Sequence, residues 1–278
     1  MPSSKPRMGR IEYLNVLPVY HALETGRVPH GYELVYGPPS ALNGMMERGE
    51  LAVASTSSIE YARRPERYWI VPDLAIGSRG KVLSVLLLSR RPVEELGGKT
   101  VLVSTATHTS AALLKILLTE HARVSVTFVT GDATERMAEK EGPDAVLVIG
   151  DEALRARNHP VYSHAWDLGE AWLALTGLPF TFGLWVVSRE AANRGFMAED
   201  PATVLHAGRD WGSANMNAIL DAAQQRYPFA RDALAAYFSR LSYRLGEAER
   251  RGLGLFYERL AAYGEIPSAP DLAFWPGA

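Results

Sequence analysis

The sequence predicts an α/β fold of two lobes with a ligand cleft between them. Three observations support this prediction: strand-length apolar runs alternate with helical patterns, the pattern changes at the polar connector 90–92, and a late strand begins at Phe180. Alternating strands and helices favour parallel sheets with crossover helices. A chain of 278 residues, of which 47% are hydrophobic, is long enough for such an arrangement.

The first part of the chain contains the elements predicted for lobe 1. They are helices at 17–23 and 40–48, strands at 51–54, 69–75 and 82–88, and a short helix after residues 55–58. Pro18 falls in the first turn of the first helix, where its missing N–H costs little. The strand at 82–88 is apolar on both faces except at Ser84, which predicts a central position in its sheet.

A second series of elements begins after the connector. It comprises strands at 100–104, 124–129 and 144–149, helices at 109–120 and 133–140, and a short helix after Gly150-Asp151. The strand at 180–187 then returns to the first lobe, and the rest of the chain is mainly helical. We therefore predict a discontinuous lobe 1 (residues 1–89 and 186–278) with lobe 2 (residues 90–185) inserted. Ligands commonly bind where the strand ends of such lobes face each other.

Composition excludes several classes of function. The formal net charge is −2, with acids and bases interspersed, so neither nucleic acid nor an anionic membrane surface is an expected partner. No apolar run approaches the ~20 residues that a membrane span needs, and the N-terminus does not resemble an export signal. The chain has no cysteine, which rules out disulfides, thiolate catalysis and cysteine-bound metals. We expect a cytoplasmic protein.

The candidate site consists of strand-to-helix junctions rich in small polar residues. One junction covers residues 10–18, another covers 100–110, and a third covers 55–58. The N-terminus of a helix carries unsatisfied N–H groups and the positive end of the helix dipole, so it is suited to bind an anion. Two such junctions in one chain suggest a ligand with two carboxylates.

Each candidate residue also has a structural interpretation. Asn15 either caps the helix that follows it or hydrogen-bonds a ligand. Thr107, Thr109 and Ser110 supply more hydroxyls than a single cap needs, which favours ligand binding. His108 could add positive charge or act as an acid or base, although a lone histidine is more often a surface residue.

The remaining candidates present similar alternatives. Residues 55–58 could form an ordinary turn. Ser84 must find a buried partner or face a cavity. Asp151 is either a catalytic base or a capping residue. Phe182 and Trp185 either line a pocket or fill the core, and the core is favoured.

Several motifs together resemble one known family. They are Ile11-Glu12-Tyr13-Leu14-Asn15-Val16-Leu17-Pro18, Ala52 to Ser58, Ser104 to Ser110, Val148 to Leu154, Asp167-Leu168-Gly169-Glu170-Ala171-Trp172, and Thr176 to Phe180. In this order they are similar to the chorismate dehydratase (MqnA) family, which acts in menaquinone biosynthesis by the futalosine route. The resemblance extends from about residue 8 to about residue 275.

The resemblance implies a fold like that of type II periplasmic binding proteins. It also implies loss of water from chorismate to give 3-[(1-carboxyvinyl)oxy]benzoate, with neither a redox cofactor nor a metal. Aromatisation drives this reaction, so the protein mainly has to hold the dianion and stabilise developing charge.

The resemblance also assigns roles to residues. Asn15 would bind near the departing hydroxyl and Ser84 would hold a carboxylate. Ser57 with Ser58, and Thr109 with Ser110, would form two carboxylate cradles. The base would be the enolpyruvyl carboxylate of the substrate, with His108 or Asp151 as alternatives.

One position departs from the family pattern. His108 stands where an arginine is expected beside the threonine–serine pair, which removes a permanent cation unless Arg79, Lys81 or another basic residue compensates.

Two other functions fit the same fold. The sister enzyme of the pathway forms 1,4-dihydroxy-6-naphthoate, but Tyr13-Leu14-Asn15 with Pro18 fits the dehydratase better. A non-catalytic binding protein for a small carboxylate is the second alternative, and it would normally carry an export signal or a lipid-anchor cysteine.

Overall fold

The computed structural model describes residues 5–104, 108–139 and 141–277, and two five-stranded sheets form its two α/β lobes. The strands of the first sheet are β1 (Arg7–Ile11), β2 (Glu33–Gly37), β3 (Val53–Ser57), β4 (Tyr68–Ser78) and β10 (Phe180–Ser188). The strands of the second sheet are β5 (Val85–Ser89), β6 (Thr100–Val103), β7 (Thr127–Thr130), β8 (Ala145–Ile149) and β9 (His164–Asp167). The predicted α/β class and its two lobes are confirmed.

The two sheets have the same plan. Their strand orders are β2-β1-β3-β10-β4 and β7-β6-β8-β5-β9. In each sheet three neighbouring strands are parallel. The fourth strand, β10 in the first sheet and β5 in the second, runs antiparallel to them and pairs on its other side with the edge strand, β4 or β9. The chain therefore crosses between the sheets twice, once after β4 and once after β9.

Helices cover the sheets and make up most of the chain after β10. They are α1 (Leu17–Glu24), α2 (Pro39–Glu47), α3 (Ser58–Arg63), α4 (His108–Glu120), α5 (Ala133–Met137), α6 (Gly150–Ala156), α7 (Leu168–Thr176), α8 (Arg189–Asn193), α9 (Pro201–Ala214), α10 (Met216–Arg226), α11 (Arg231–Phe238) and α12 (Glu247–Ala262). Short 3₁₀ turns lie at Leu14–Val16 and Val93–Glu95. Within the described residues, no helix combines the length and apolar character needed to cross a membrane.

The strand predicted at 82–88 was assigned to the wrong lobe. As β5 it lies inside the second sheet, where it pairs with β8 and β9. The prediction that this strand is central in its sheet is correct. Its lobe was not predicted, because its partner strands lie more than fifty residues later in the chain. The residues that form β10 all belong to the first sheet, including 180–185, which had been assigned to lobe 2.

Three elements were missing from the prediction: β2, β9 and α7. Both strands lie at the edge of a sheet and have exposed residues, so they lack the continuous apolar run of a buried strand. Helix α7 begins at the Asp167-Leu168-Gly169-Glu170 motif. This motif contributed to the family resemblance, but no helix was predicted there.

The two lobes are linked by side-chain contacts of α4. Arg259 of α12 pairs with Glu120 (Nε–Oε2 2.8 Å), and Lys115 pairs with Glu265 (Nζ–Oε1 2.7 Å).

In lobe 1, the indole N–H of Trp185 donates to Tyr20, whose hydroxyl donates to the carbonyl of Gly9. Trp185 is fully buried, so the prediction that it belongs to the core is confirmed.

Close packing of α9 on α1 gives a first testable prediction. A Cβ atom at Gly212 would overlap with the carbonyl oxygen of Pro18, in the first turn of α1. We expect Gly212→Ala to lower the free energy of unfolding by about 1–3 kcal/mol, because the two helices would have to move apart. Chemical denaturation measures this loss.

The control is Gly254→Ala in α12, where an added Cβ meets open space. It should raise the free energy of unfolding by up to about 1 kcal/mol through helix propensity alone. Equal destabilisation by the two substitutions would contradict the packing argument.

Candidate functional site

A cavity of about 390 Å³ lies between the lobes. Its apolar wall comes from both sheets and includes Ile11, Ile76, Val82, Val85, Ile149, Phe182 and Leu241. Its polar wall includes Tyr13, Asn15, Ser40, Asn43, Ser55, Thr56, Ser57, Ser84, His108, Thr109 and Ser110. Asn15, Ser84 and the Thr109–Ser110 turn therefore face one common cavity. Phe182 packs against the core, as predicted, and it also lines the cavity.

Asn15 lies within the 3₁₀ turn Leu14–Val16, which connects β1 to α1. Its side chain caps neither this turn nor α1, so the capping interpretation is wrong. The Oδ1 atom of Asn15 is buried without a hydrogen-bond partner, while the hydroxyl of Tyr243 donates to its main-chain oxygen (2.7 Å). The backbone is thus held in place, and a buried acceptor remains available on the cavity wall.

Ser84 lies in the segment that crosses from β4 to β5, immediately after a residue with an unusual backbone conformation. Leu83 has a φ of +64°, which is unfavourable for a residue with a side chain. Asp167 holds this conformation, because its carboxylate accepts from the N–H groups of Val82 (3.0 Å) and Leu83 (2.8 Å). On the other side, the N–H of Gly150 donates to the carbonyl of Ser84 (2.7 Å).

The same aspartate also caps helix α7. Its Oδ1 accepts from the N–H groups of Gly169 (3.0 Å) and Glu170 (3.2 Å). Asp167 is therefore bonded to backbone N–H groups on two segments, the Ser84 turn and the start of α7. Burial raises the pKa of this carboxyl, and the backbone donors oppose that shift.

The first turn of α4 forms another part of the polar wall. Its first three residues are His108, Thr109 and Ser110, and all three line the cavity. The N–H groups of a helix's first turn have no acceptor within the helix. The hydroxyl oxygen of Thr109 accepts from the N–H of Ile59 in α3 (3.1 Å), so the two helix N-termini, one from each lobe, meet beside the cavity. Ser57, at the N-cap position of α3, also lines the cavity.

Two of the predicted binding residues, Ser58 and Asp151, do not belong to the described wall. Ser58 is fully buried behind it, because the first turn of α3 directs this residue into the core beside Tyr257. Asp151 also lies behind the wall, where its carboxylate accepts from the N–H of Leu14 (3.4 Å). Burial raises the pKa of Asp151. Thr107 lies outside the described residues.

The described wall contains neither a carboxylate nor a lysine or arginine side chain. Arg79 and Lys81, which could have replaced a missing cation, are exposed and do not line the cavity; Lys81 instead pairs with Glu170 at 3.7 Å. Any anion bound here would be held by hydroxyl, amide and backbone groups and by His108.

Tyr13, Ser40 and Asn43 also line the cavity, although the sequence did not predict them as site residues. The hydroxyl of Thr56 donates to Oδ1 of Asn43 (3.0 Å), which fixes that amide at the cavity wall. Burial raises the pKa of Tyr13, and the negative charges of Asp151 and Glu152 raise it further. Tyr13 could have been predicted as a site residue from the Tyr13-Leu14-Asn15 motif, in which it stands close to Asn15. Asn43 lies in an ordinary amphipathic helix and gave no local signal.

Similarity to known proteins covers nearly the whole chain. Chorismate dehydratase of Thermus thermophilus is 28% identical over 97% of this chain and 98% of its own length. Chorismate dehydratase of Campylobacter jejuni is 30% identical over 71% of this chain and 74% of its own length. The 1,4-dihydroxy-6-naphtoate synthase of Streptomyces coelicolor is 29% identical over 93% of this chain and 94% of its own length.

Solved structures show the same fold at low sequence identity. A protein from Archaeoglobus fulgidus aligns with a TM-score of 0.74 at 20% identity, over 96% of this chain and all of that one. The periplasmic aliphatic sulphonate binding protein of Escherichia coli aligns with a TM-score of 0.66 at 15% identity, over 99% and 92% of the two chains.

The fold and the cavity between the lobes define a protein of the periplasmic-binding-protein-like class, as predicted. Within that class, the model of the family described as menaquinone biosynthesis matches residues 6–262. The chain belongs to this menaquinone biosynthesis family.

Proposed function

We propose that this protein eliminates water from chorismate to give 3-[(1-carboxyvinyl)oxy]benzoate, a step of menaquinone biosynthesis. The observation that carries the proposal is the convergence of Asn15, Ser84, Thr109 and Ser110 on one cavity. The apolar wall suits the carbocyclic ring of the substrate, and the polar groups suit its two carboxylates and hydroxyl. The family and the names of the two dehydratase relatives support the same reaction.

In the proposed mechanism the protein positions the substrate and the substrate supplies the base. The enolpyruvyl carboxylate removes the ring proton, and the resulting electron pair is delocalised toward the ring carboxylate. The ring carbon–oxygen bond to the hydroxyl then breaks, a proton joins the departing hydroxyl to form water, and the ring becomes aromatic. Asn15 binds the departing hydroxyl, and Ser84 holds a carboxylate.

Helix N-termini supply the remaining anion binding. Thr109 and Ser110 at the start of α4, together with Ser57 at the start of α3, provide hydroxyls at the positive ends of two helices. Ser58 and Asp151 are not assigned as contacts of the substrate, because both lie behind the wall. The cytoplasm is the compartment that we propose for this biosynthetic step.

The test is to incubate the purified protein with chorismate. Ultraviolet absorbance and mass spectrometry should show loss of chorismate and appearance of a product lighter by one water. Chorismate that persists as long as in a no-enzyme control would refute the proposal.

The Streptomyces relative is the observation that favours a second candidate, 1,4-dihydroxy-6-naphthoate synthesis. A parallel incubation with the cyclic futalosine derivative separates the two candidates, because only the synthase would release the naphthoate. A protein that binds chorismate but leaves it unchanged would instead be a binding protein.

The identity of the base gives a second prediction. If the substrate carboxylate removes the proton, His108→Gln should keep kcat within about threefold of the wild-type value, because general bases contribute about 10²–10⁴-fold. Steady-state kinetics with chorismate measures this. A loss of a hundredfold or more would assign the base to His108, and Asp151→Asn provides the same comparison for the other alternative.

A further inference from the structure

Tyr237 lies behind both proposed catalytic residues. It belongs to α11 and is 1% exposed. Its apolar cluster contains Leu14, and Leu83 packs against that cluster. These two leucines immediately precede Asn15 and Ser84 in the chain. Tyr237 is therefore part of the packing that supports the two segments carrying the polar wall.

The hydroxyl of Tyr237 is buried and makes no hydrogen bond of standard geometry, although the side chain of Ser84 lies beside it. Several other buried tyrosines donate to a main-chain carbonyl, whereas Tyr68 resembles Tyr237 in having no such partner; the donating residues are Tyr20, Tyr162, Tyr243 and Tyr257. Burying an unpaired hydroxyl is unfavourable, and phenylalanine would fill the same space without that penalty. The surroundings of the hydroxyl must therefore explain why a tyrosine stands here.

Ser84 is the neighbouring polar side chain that gives this explanation. Burial raises the pKa of the Tyr237 phenol, and the neighbouring Ser84 hydroxyl opposes that shift. Ser84 is 4% exposed and lines the cavity. A serine hydroxyl has one proton to donate and two lone pairs to accept with, so it can bond a tyrosine on one side and a ligand on the other.

We propose that Tyr237 is a positioning residue for Ser84, donating to Ser84 Oγ when a carboxylate occupies the cavity. The proton of Ser84 is then directed to the carboxylate and not back toward the phenol. A hydroxyl that accepts one hydrogen bond donates a stronger one, and a bond to a carboxylate is strengthened further by charge. The proposal rests on the proposed function only in taking a carboxylate as the ligand of the cavity.

The experiment compares Tyr237→Phe, Ser84→Ala and the double variant. Isophthalate, an aromatic dicarboxylate that cannot lose water, serves as the binding probe in calorimetry, and chorismate serves for kinetics. We expect Tyr237→Phe to weaken isophthalate binding about three- to tenfold, in keeping with the net contribution of one hydrogen bond. KM for chorismate should rise by a similar factor and kcat should change less, because the lost contact is made before the reaction begins.

The double variant tests whether the tyrosine acts through the serine. In the Ser84→Ala background, Tyr237→Phe should have no further effect on isophthalate binding. Tyr68→Phe is the matched control: Tyr68 is also 1% exposed with an unpartnered hydroxyl, but it belongs to a different apolar cluster from Tyr237, Leu14 and Leu83. Both phenylalanine variants should keep or raise the melting temperature, and only Tyr237→Phe should weaken binding.

Several outcomes would overturn the proposal. These are unchanged isophthalate affinity in Tyr237→Phe, an equal loss of affinity with and without Ser84, or failure of isophthalate to bind the wild-type protein. A wild-type protein that binds isophthalate without converting chorismate would instead refute the dehydratase function, and the binding series would still decide the role of Tyr237.

Discussion

Asn15→Ala is expected to lower kcat/KM for chorismate by about 10²–10³-fold, the loss typical of removing one preorganised polar contact to the transition state. The reason is the position of the side chain. Its Oδ1 is buried on the cavity wall without a partner in the protein, and Tyr243 holds its main chain in place. The backbone of Asn15 is therefore fixed before the substrate arrives, and its Oδ1 has no protein partner to give up when it binds the substrate.

The stability of the variant separates this interpretation from a structural one. Because Asn15 caps no helix, we expect the free energy of unfolding to change by less than about 1 kcal/mol. Asn193→Ala, at the exposed end of α8, is the control and should leave both turnover and stability unchanged. Loss of activity together with unfolding of Asn15→Ala would indicate that Asn15 has a structural role.

Much of this cavity could be predicted from the sequence because its signals are local. Ser84 interrupts an apolar run, and Thr109 and Ser110 follow a strand at a helix start; each pattern has a direct physical meaning. The location of Asn15 beyond β1 followed from the same reasoning. What local patterns do not contain is the direction of each side chain relative to elements distant in the chain.

The errors arose where such long-range contacts decide the outcome. Ser57 ends β3 and faces the cavity, whereas Ser58 begins α3 and is turned into the core. Asp151 follows a predicted turn, but its hydrogen bond to Leu14 joins residues 137 positions apart. The lobe of β5 likewise depends on its pairing with β8 and β9, which a composition change near residue 90 does not reveal.

Asp167 is the residue whose replacement should damage both fold and activity. Its carboxylate accepts from four backbone N–H groups, two in the Ser84 turn and two at the start of α7. We expect Asp167→Ala to lower the free energy of unfolding by about 3 kcal/mol, through loss of the helix cap and of partners for buried donors. Turnover of chorismate should fall too, because Leu83 at φ +64° would no longer be held and Ser84 would move. Chemical denaturation and steady-state kinetics measure the two effects.

Asp167→Asn separates the two functions of this carboxylate. The asparagine keeps one oxygen, which can still cap α7, but its amide nitrogen is a donor and would face the N–H of Leu83, another donor. We therefore expect a smaller loss of stability than in Asp167→Ala and a comparable loss of turnover. Asp132→Ala is the matched control, since Asp132 caps α5 through a single N–H at an exposed position, and its loss should cost about 1 kcal/mol without changing turnover. Full activity in Asp167→Asn would show that the Ser84 turn keeps its conformation without the carboxylate, and the role assigned here to Asp167 would then be limited to capping the helix.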